Sequence, residues 1–258
     1  MAAPKEKSTI ITGFVFDFET GGLDAREYAA TQISIHAIRL DNFEVMETVK
    51  HYIYPYNFQD NAGKPKPKKL KSKYDEEETT LMKYEDRALE YSAITMDMLY
   101  NEGEPIKEVC ADIIEFMKRN VFNVKPSCKP ILIGQNPLFD VSFLQQIMIY
   151  TGFWTDLTKI LRGHKDYFGN FQPYCIDTII ISQLALSHNP QVSSWNLGNL
   201  CELLGIDLDD AHDADADVIA TFEVLKTLTA RMRNEEVETD GSSLVETKKT
   251  KTRDHFKI

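Results

Sequence analysis

The apolar run Ile10-Ile11-Thr12-Gly13-Phe14-Val15-Phe16 ends on Asp17-Phe18-Glu19, and that junction restricts the fold of this chain more than any other stretch. A short run this apolar reads as a buried strand. Residues two apart on a strand share a face, so Asp17 and Glu19 project side by side while Phe16 and Phe18 point the other way into a core. Paired carboxylates in such a place repel one another and resist burial, which calls for a compensating charge; a hard cation supplies one. The plainer alternative is a strand that ends in a polar, helix-capping turn. Asp75-Glu76-Glu77 repeats the Asp-x-Glu spacing, but it sits in the charged stretch Lys73 to Glu78, which reads as solvated. His36 and Asp41 likewise repeat the His-x-x-x-x-Asp spacing met again below.

Two further acidic segments follow. Pro130-Ile131-Leu132-Ile133-Gly134 reads as a short strand, and Asp140 opens a helix through Tyr150 in which Phe139, Phe143, Ile147 and Tyr150 recur at helical spacing before Gly152 stops it. By itself Asp140 reads as a carboxylate complementing a helix dipole. The last segment, His212-Asp213-Ala214-Asp215-Ala216-Asp217, leads from a Gly- and Asp-rich loop (Gly205 to Asp210) into a helix with Val218, Ile219, Phe222, Leu225 and Leu228 on its apolar face. His212 stands at the entrance and Asp217 about a turn further in. A lone histidine among aspartates is ordinarily a surface residue, but its place next to an inward-facing aspartate singles it out.

In combination these stretches resemble the DnaQ-like 3'-5' exonucleases of the DEDDh class, the family of the proofreading epsilon subunit of bacterial DNA polymerase III, of oligoribonuclease and of Trex-type nucleases. The matching pieces are Phe16 to Leu23, Ala88 to Thr95, Gly134 to Leu144, Ile176-Asp177-Thr178 and His212 to Thr221. The resemblance covers residues 9–232 as one domain, preceded by a flexible N-terminus (1–8) and followed by a polar, disordered tail (233–258). It implies an α/β fold of the RNase H-like kind, a five-stranded mixed sheet flanked by helices. Three strands at Ile10 to Asp17, Gln32 to Leu40 and Val45 to Pro55, turning at Asp41-Asn42, fit this fold. A helix face made by Ile106, Val109, Cys110, Ile113, Phe116 and Met117 also fits, as do a helix from Ile176 to Leu186 and a short one from Trp195 to Leu204. Asp177 reads as a cap rather than a catalyst.

The resemblance assigns Asp17, Glu19, Asp140 and Asp217 to two divalent metal ions and makes His212 the general base. The chemistry accounts for these residue types. Phosphodiester hydrolysis needs an activated water, neutralised phosphoryl oxygens and a stabilised leaving 3'-oxygen, which two metals about 4 Å apart can supply. Oxygen ligands suit Mg²⁺ or Mn²⁺ rather than zinc, and histidine is the side chain whose charge changes near neutral pH. Position 213 is Asp, where the DEDDy relatives carry Tyr-x-x-x-Asp before the final carboxylate, so the histidine form is the one present. Gln135 departs from the histidine common in relatives but touches no expected metal ligand.

For the substrate, the resemblance implies that the turn Thr20, Gly21, Gly22 and Leu23 approaches the terminal sugar with its backbone, beside Asn136. Ile94 and Phe139 are candidates to wedge or stack against the last bases; both equally fit as core residues. The expected partner is nucleic acid with a free 3' end, DNA being favoured over RNA on the likeness to proofreading subunits. An exoribonuclease and a non-catalytic nucleic-acid or polymerase-binding module are the rival readings. Phe256 and Ile258 suggest a docking peptide for a DNA polymerase or sliding clamp.

With 258 residues and 43% hydrophobic content the chain can bury one good core. The start lacks an apolar signal segment, no stretch is long enough to cross a membrane, and the four cysteines show no Cys-x-x-Cys pairing, so the expectation is a reduced, cytoplasmic protein. A net charge of −11 runs against nucleic-acid binding, although acidic residues at a metal site are offset by its cations. The exception is Lys64, Lys66, Lys68, Lys69, Lys71 and Lys73, six lysines in ten residues within an inserted loop (57–80) that Pro65 and Pro67 keep extended. Two readings stand: an electrostatic arm for the phosphate backbone, or a solubilising loop partly neutralised by Asp75 to Glu78. The arm predicts that replacing the six lysines with glutamine weakens oligonucleotide binding and flattens its salt dependence; an unaltered salt slope removes the arm.

Overall fold

The described residues of this computed structural model are 10–59, 80–122, 125–208 and 212–233. The six lysines of the inserted loop, the N-terminal residues 1–9 and the tail 234–258 lie outside them. The strands are β1 (Thr12–Thr20), β2 (Ala30–Arg39), β3 (Val45–Tyr52), β4 (Ile131–Gly134), β5 (Gly163–Lys165), β6 (Phe171–Pro173) and β7 (Cys175–Asp177). The helices are α1 (Asp86–Tyr91), α2 (Met96–Glu102), α3 (Ile106–Arg119), α4 (Pro137–Thr151), α5 (Trp154–Ile160), α6 (Thr178–Leu186), α7 (Leu197–Leu204) and α8 (Ala214–Arg233).

Five strands form one mixed sheet of order β3-β2-β1-β4-β7, while β5 and β6 make a separate hairpin. β1, β2 and β3 are antiparallel neighbours; β4 and β7 run parallel to β1 on its other side. This matches the expected five-stranded architecture. The strict alternation of β1 splits the core in two. Phe14, Phe16 and Phe18 join Val109, Ile113 and Phe116 of α3 and Phe143 and Ile147 of α4 on one face. Val15 meets Ile38, Ile133 and the α8 residues Val218, Phe222 and Leu225 on the other. Asp17 and Glu19 continue the Val15 row, so they emerge on the α8 face. Among the described residues no helix is long and apolar enough to cross a membrane. The four cysteines form no disulfide, and three of them are buried.

Several boundaries depart from the sequence expectations. The helix expected to open at Asp140 begins at Pro137, preceded by Asn136 in the left-handed region (φ 55°, ψ 49°); proline's fixed φ suits a first helical position, so Asp140 falls inside the first turn. Ile176-Asp177-Thr178 does not start a helix. Cys175–Asp177 pairs with β4 as an edge strand, and α6 begins only at Thr178, with the Asp177 carboxylate capping the Ile179 N–H at 2.9 Å. A strand of three residues has too few positions to show a period. The helix read from Trp195 starts at Leu197 because the Asn196 side chain caps it by accepting the Asn199 N–H. The third strand stops at Tyr52, and Ile53 continues only as an isolated bridge to Glu104.

A buried polar chain fixes the turn that follows β1. The Tyr56 hydroxyl accepts the Ala30 N–H at 2.7 Å and donates to Gln146 Oε1 at 2.6 Å. Gln146 Nε2 in turn donates to the carbonyls of Ala25 and Tyr28. Helix α4, the turn and the first residue of β2 are thereby tied at one point. Tyr56→Phe leaves the buried Ala30 donor and the Gln146 acceptor unpaired, a loss of about 1–3 kcal/mol. Urea unfolding is expected to show a correspondingly lower midpoint; an unchanged midpoint would remove this tie from the account.

Candidate active site

Register explains why carboxylates gather at the end of β1. β1 pairs with β4 only as far as Val15 opposite Ile133, then runs on beyond its neighbour. The Phe18 N–H is left with no strand partner, and Asp140 Oδ1 accepts it at 3.2 Å. Asp140 is only 3% exposed, held there by the first turn of α4. From the α8 face comes Asp217, and one carboxylate oxygen from each of Asp17, Glu19 and Asp217 lies within 4.8 Å of the others. The structure therefore brings together the three expected carboxylates of this group, with Asp140 adjoining.

Such proximity is costly without a counter-charge. Burial first, then the Asp140, Glu19 and Asp217 charges, hold the Asp17 carboxyl well above its ordinary range. Glu19 is raised to about 8 by burial and then by Asp217 and Asp140. Asp140 rises to about 8, mainly through burial. Asp217 is also raised, burial again leading, although the charge and backbone N–H of His212 act in the opposite direction. A set of oxygen donors that cannot all ionise alone is the chemistry of a site for hard divalent cations.

The start of α8 is fully accounted for. The Asp213 carboxylate accepts the N–H groups of Asp215 (3.0 Å) and Ala216 (3.4 Å), making it the cap of the helix. The Ala214 N–H goes to Gln32 Oε1 at 2.9 Å, and the Asp217 N–H to the Asp213 carbonyl at 3.0 Å. The three N–H groups of Ala214, Asp215 and Ala216, which have no acceptor inside the helix, are thus satisfied by side chains, and the Asp217 N–H makes the first bond within it. Asp215 is held by Ser34 and His36, each 2.8 Å from its Oδ1. Gln32, Ser34 and His36 are alternate residues of β2 and so form one buried polar stripe under α8. Sequence reading missed this stripe and Lys50; the visible signal was the recurrence of polar residues at every second position of an otherwise apolar strand.

His212 precedes the cap with φ +77°. Its imidazole lies against the ring of Tyr91, with centroids 3.8 Å apart. His212 and the four carboxylates other than Asp213 and Asp215 line one cleft of about 560 Å³, together with Thr20, Gly22, Leu23, Glu85, Arg87, Tyr91, Asn136 and Phe139. Leu23 is 84% exposed at the mouth. Gly21 lies beneath the turn, its N–H donating to Ala29 and its carbonyl accepting from Glu85, both at 2.8 Å. A Cβ at Gly22 would meet the Tyr28 ring at 2.4 Å, so the close turn requires glycine there.

Besides Gly21, Ile94 is an expected site residue that does not line this cleft. It is 4% exposed, packed with Leu89 and Leu99, and lines a neighbouring depression beyond His212. Tyr91, 66% exposed, faces the carboxylates instead. Gln135 lines the cleft too; its hydrogen bonds go to Thr178 and the Trp195 carbonyl.

No protein-family model matches the chain. It is 24% identical over 222 residues to a DNA polymerase III of the PolC type from Clostridium perfringens (strain 13 / Type A), a match that takes in 86% of this chain and 11% of that protein. Among solved structures it resembles E. coli exonuclease I in complex with a dT13 oligonucleotide (TM-score 0.59, 19% identity, 87% of this chain and 42% of that one). It also resembles a moderately thermophilic exonuclease I from Methylocaldum szegediense (TM-score 0.55, 19% identity, 87% and 41%). The chain thus spans about two fifths of the solved exonucleases and about a tenth of the polymerase. The fold is the one expected from the sequence, a five-stranded mixed sheet flanked by helices, and it is shared with these solved structures.

Carboxyls with raised folded-state pKa values favour the folded state while protonated. That contribution is present below their unfolded values near pH 4 and is lost as pH rises through about 8, the folded value of Glu19 and Asp140. In EDTA the melting temperature is expected to fall between pH 5 and pH 8, and Mg²⁺ or Mn²⁺ to restore several degrees at pH 8 but little at pH 5. A cation effect of equal size at both pH values would contradict this charge assignment.

Proposed function

We propose that this chain is a metal-dependent 3'-5' exonuclease domain that removes nucleoside 5'-monophosphates from single-stranded or frayed DNA. The observation that carries the reading is the meeting of Asp17, Glu19 and Asp217 oxygens within 4.8 Å, next to Asp140, in a cleft that His212 also lines. The exonuclease I fold, solved elsewhere with oligonucleotides, supports it.

In this reading Asp17, Glu19, Asp140 and Asp217 would hold two divalent cations, Mg²⁺ or Mn²⁺. Cations bound to such carboxylates neutralise phosphoryl charge and favour ionised water. His212 accepts the proton of the attacking water through its imidazole, whose placement against Tyr91 keeps the ring at the cleft. Attack at the last phosphorus breaks its bond to the 3'-oxygen of the preceding nucleotide, releasing a 5'-monophosphate and a chain one residue shorter. The turn Thr20 to Leu23 approaches the terminal sugar from one side, with Leu23 and Phe139 offering apolar contact to the end bases. Asn136, turned into the left-handed region, lines the same cleft. The likeness to a segment of a polymerase supports a polymerase as working partner.

Oligonucleotides of matched DNA and RNA sequence, labelled at either end and incubated with Mg²⁺, Mn²⁺ or EDTA, test the proposal. Stepwise shortening from the 3' end, faster on DNA and abolished by EDTA, is expected. Asp17→Ala should lower the rate at least about 10³-fold with circular dichroism unchanged, the scale of losing electrostatic stabilisation in the transition state. Intact oligonucleotides under every condition would reduce the chain to a binding module, and preferential RNA shortening would reassign the substrate.

A further inference from the structure

Lys50 and Gln32 converge on the start of α8 from two different strands, yet neither lines the carboxylate cleft. Lys50 Nζ, from β3, reaches both Asp213 oxygens at 2.8 and 2.7 Å. Gln32 Nε2, from β2, reaches Asp213 Oδ2 at 3.1 Å, and its Oε1 takes the Ala214 N–H. The residue immediately before this fixture is His212, at φ +77°. A residue with a Cβ is uncommon in that region, and such strain persists only where the surroundings over-determine the backbone. His212 has on its other side the ring of Tyr91, largely exposed.

The geometry points to Lys50 and Gln32 as positioning residues for His212: through the Asp213 cap they hold the imidazole at the cleft without touching substrate or ligating metal. This inference rests on the proposed exonuclease with His212 as its base. Two features separate it from a purely structural role. Lys50 and Asp213 are about one third exposed, and ion pairs that open to water add little to stability. Lys50 only donates, and the N–H groups of Ala214, Asp215, Ala216 and Asp217 all find their acceptors on Gln32 and Asp213, so α8 keeps its cap when Lys50 is replaced. What Lys50 adds is a fixed direction for the Asp213 carboxylate, and with it for the residue just before. Small displacements of a catalytic group cost rate far more than stability.

The full chain is assayed by steady-state cleavage of 3'-labelled single-stranded DNA in Mg²⁺, comparing wild type, Lys50→Met, Lys50→Arg, His212→Ala and the double variant Lys50→Met/His212→Ala. Methionine keeps the apolar stem and removes the charge. Lys50→Met is expected to lower kcat about tenfold with KM within about twofold and the melting temperature nearly unchanged, and Lys50→Arg to recover most of the loss. In the His212→Ala background, Lys50→Met is expected to cost nothing further, because two residues acting through one group are not additive. An unaffected kcat in Lys50→Met overturns the inference, as does the same tenfold loss on top of His212→Ala. If His212→Ala itself keeps full kcat, the general-base assignment fails and takes this inference with it; if His212→Ala is slow while Lys50→Met is not, the inference alone fails.

Discussion

Repulsion among the carboxylates at the end of β1 is the constraint on which the rest of the structure depends. Burial and mutual charge push all four upward, and an uncompensated ion in a protein interior costs several kcal/mol. The chain meets this by bringing in each group on a different, firmly seated support. Asp17 and Glu19 ride the central strand, Asp140 the first turn of α4 and Asp217 the first turn of α8. Two helix starts therefore face the same cluster, and the partial positive charge of each favours carboxylates there. The cluster is held together from the backbone outward, before any cation contributes.

The frame that resists this repulsion is divided by the alternation of one strand. The phenylalanines of β1 bind the α3 and α4 layer, and the intervening row meets α8. β2 follows a related alternation with a different use. Its stripe of Gln32, Ser34 and His36 spends polar side chains on the first turn of α8, where an apolar contact would leave Asp213 and Asp215 without partners. Apolar packing sets how far α8 stands from the sheet, and this polar stripe sets where along the sheet its first turn sits. The position of Asp217 follows from both.

Much of this was legible beforehand where periodicity is long. β1, β2, α3 and the apolar face of α8 follow from spacing, and Asp17, Glu19, Asp140 and Asp217 from their places on those elements. Legibility fails where an element is too short to show a period, as in β7 and the β5-β6 hairpin, or where a single backbone geometry decides. Asn136 in the left-handed region moved the start of α4 to Pro137. Ala93, at φ +53°, turns the chain after α1, so that Ile94 packs inward and Tyr91 is left at the cleft. No hydrophobicity pattern distinguishes those two outcomes. The support of Asp213 by Lys50 was equally hidden, because residues 163 positions apart share no local signal.

Phe58 and Thr80 flank the lysine-rich stretch and are joined by a backbone hydrogen bond of 2.8 Å, with Asn57 bridged to Leu81 and Met82 bonded to Tyr56 just inside. The two ends of that stretch are thereby held together in a closed neck. Lengthening such an excursion has a closure cost that grows only logarithmically, about 0.6 kcal/mol per doubling. Its length and charge are thus free to drift, or to be traded for another sequence altogether, without disturbing the ladder beneath. The neck at Phe58 and Thr80 is in this sense an insertion point: the sequence carried between its ends can change while the sheet and helices that position the carboxylates stay as they are.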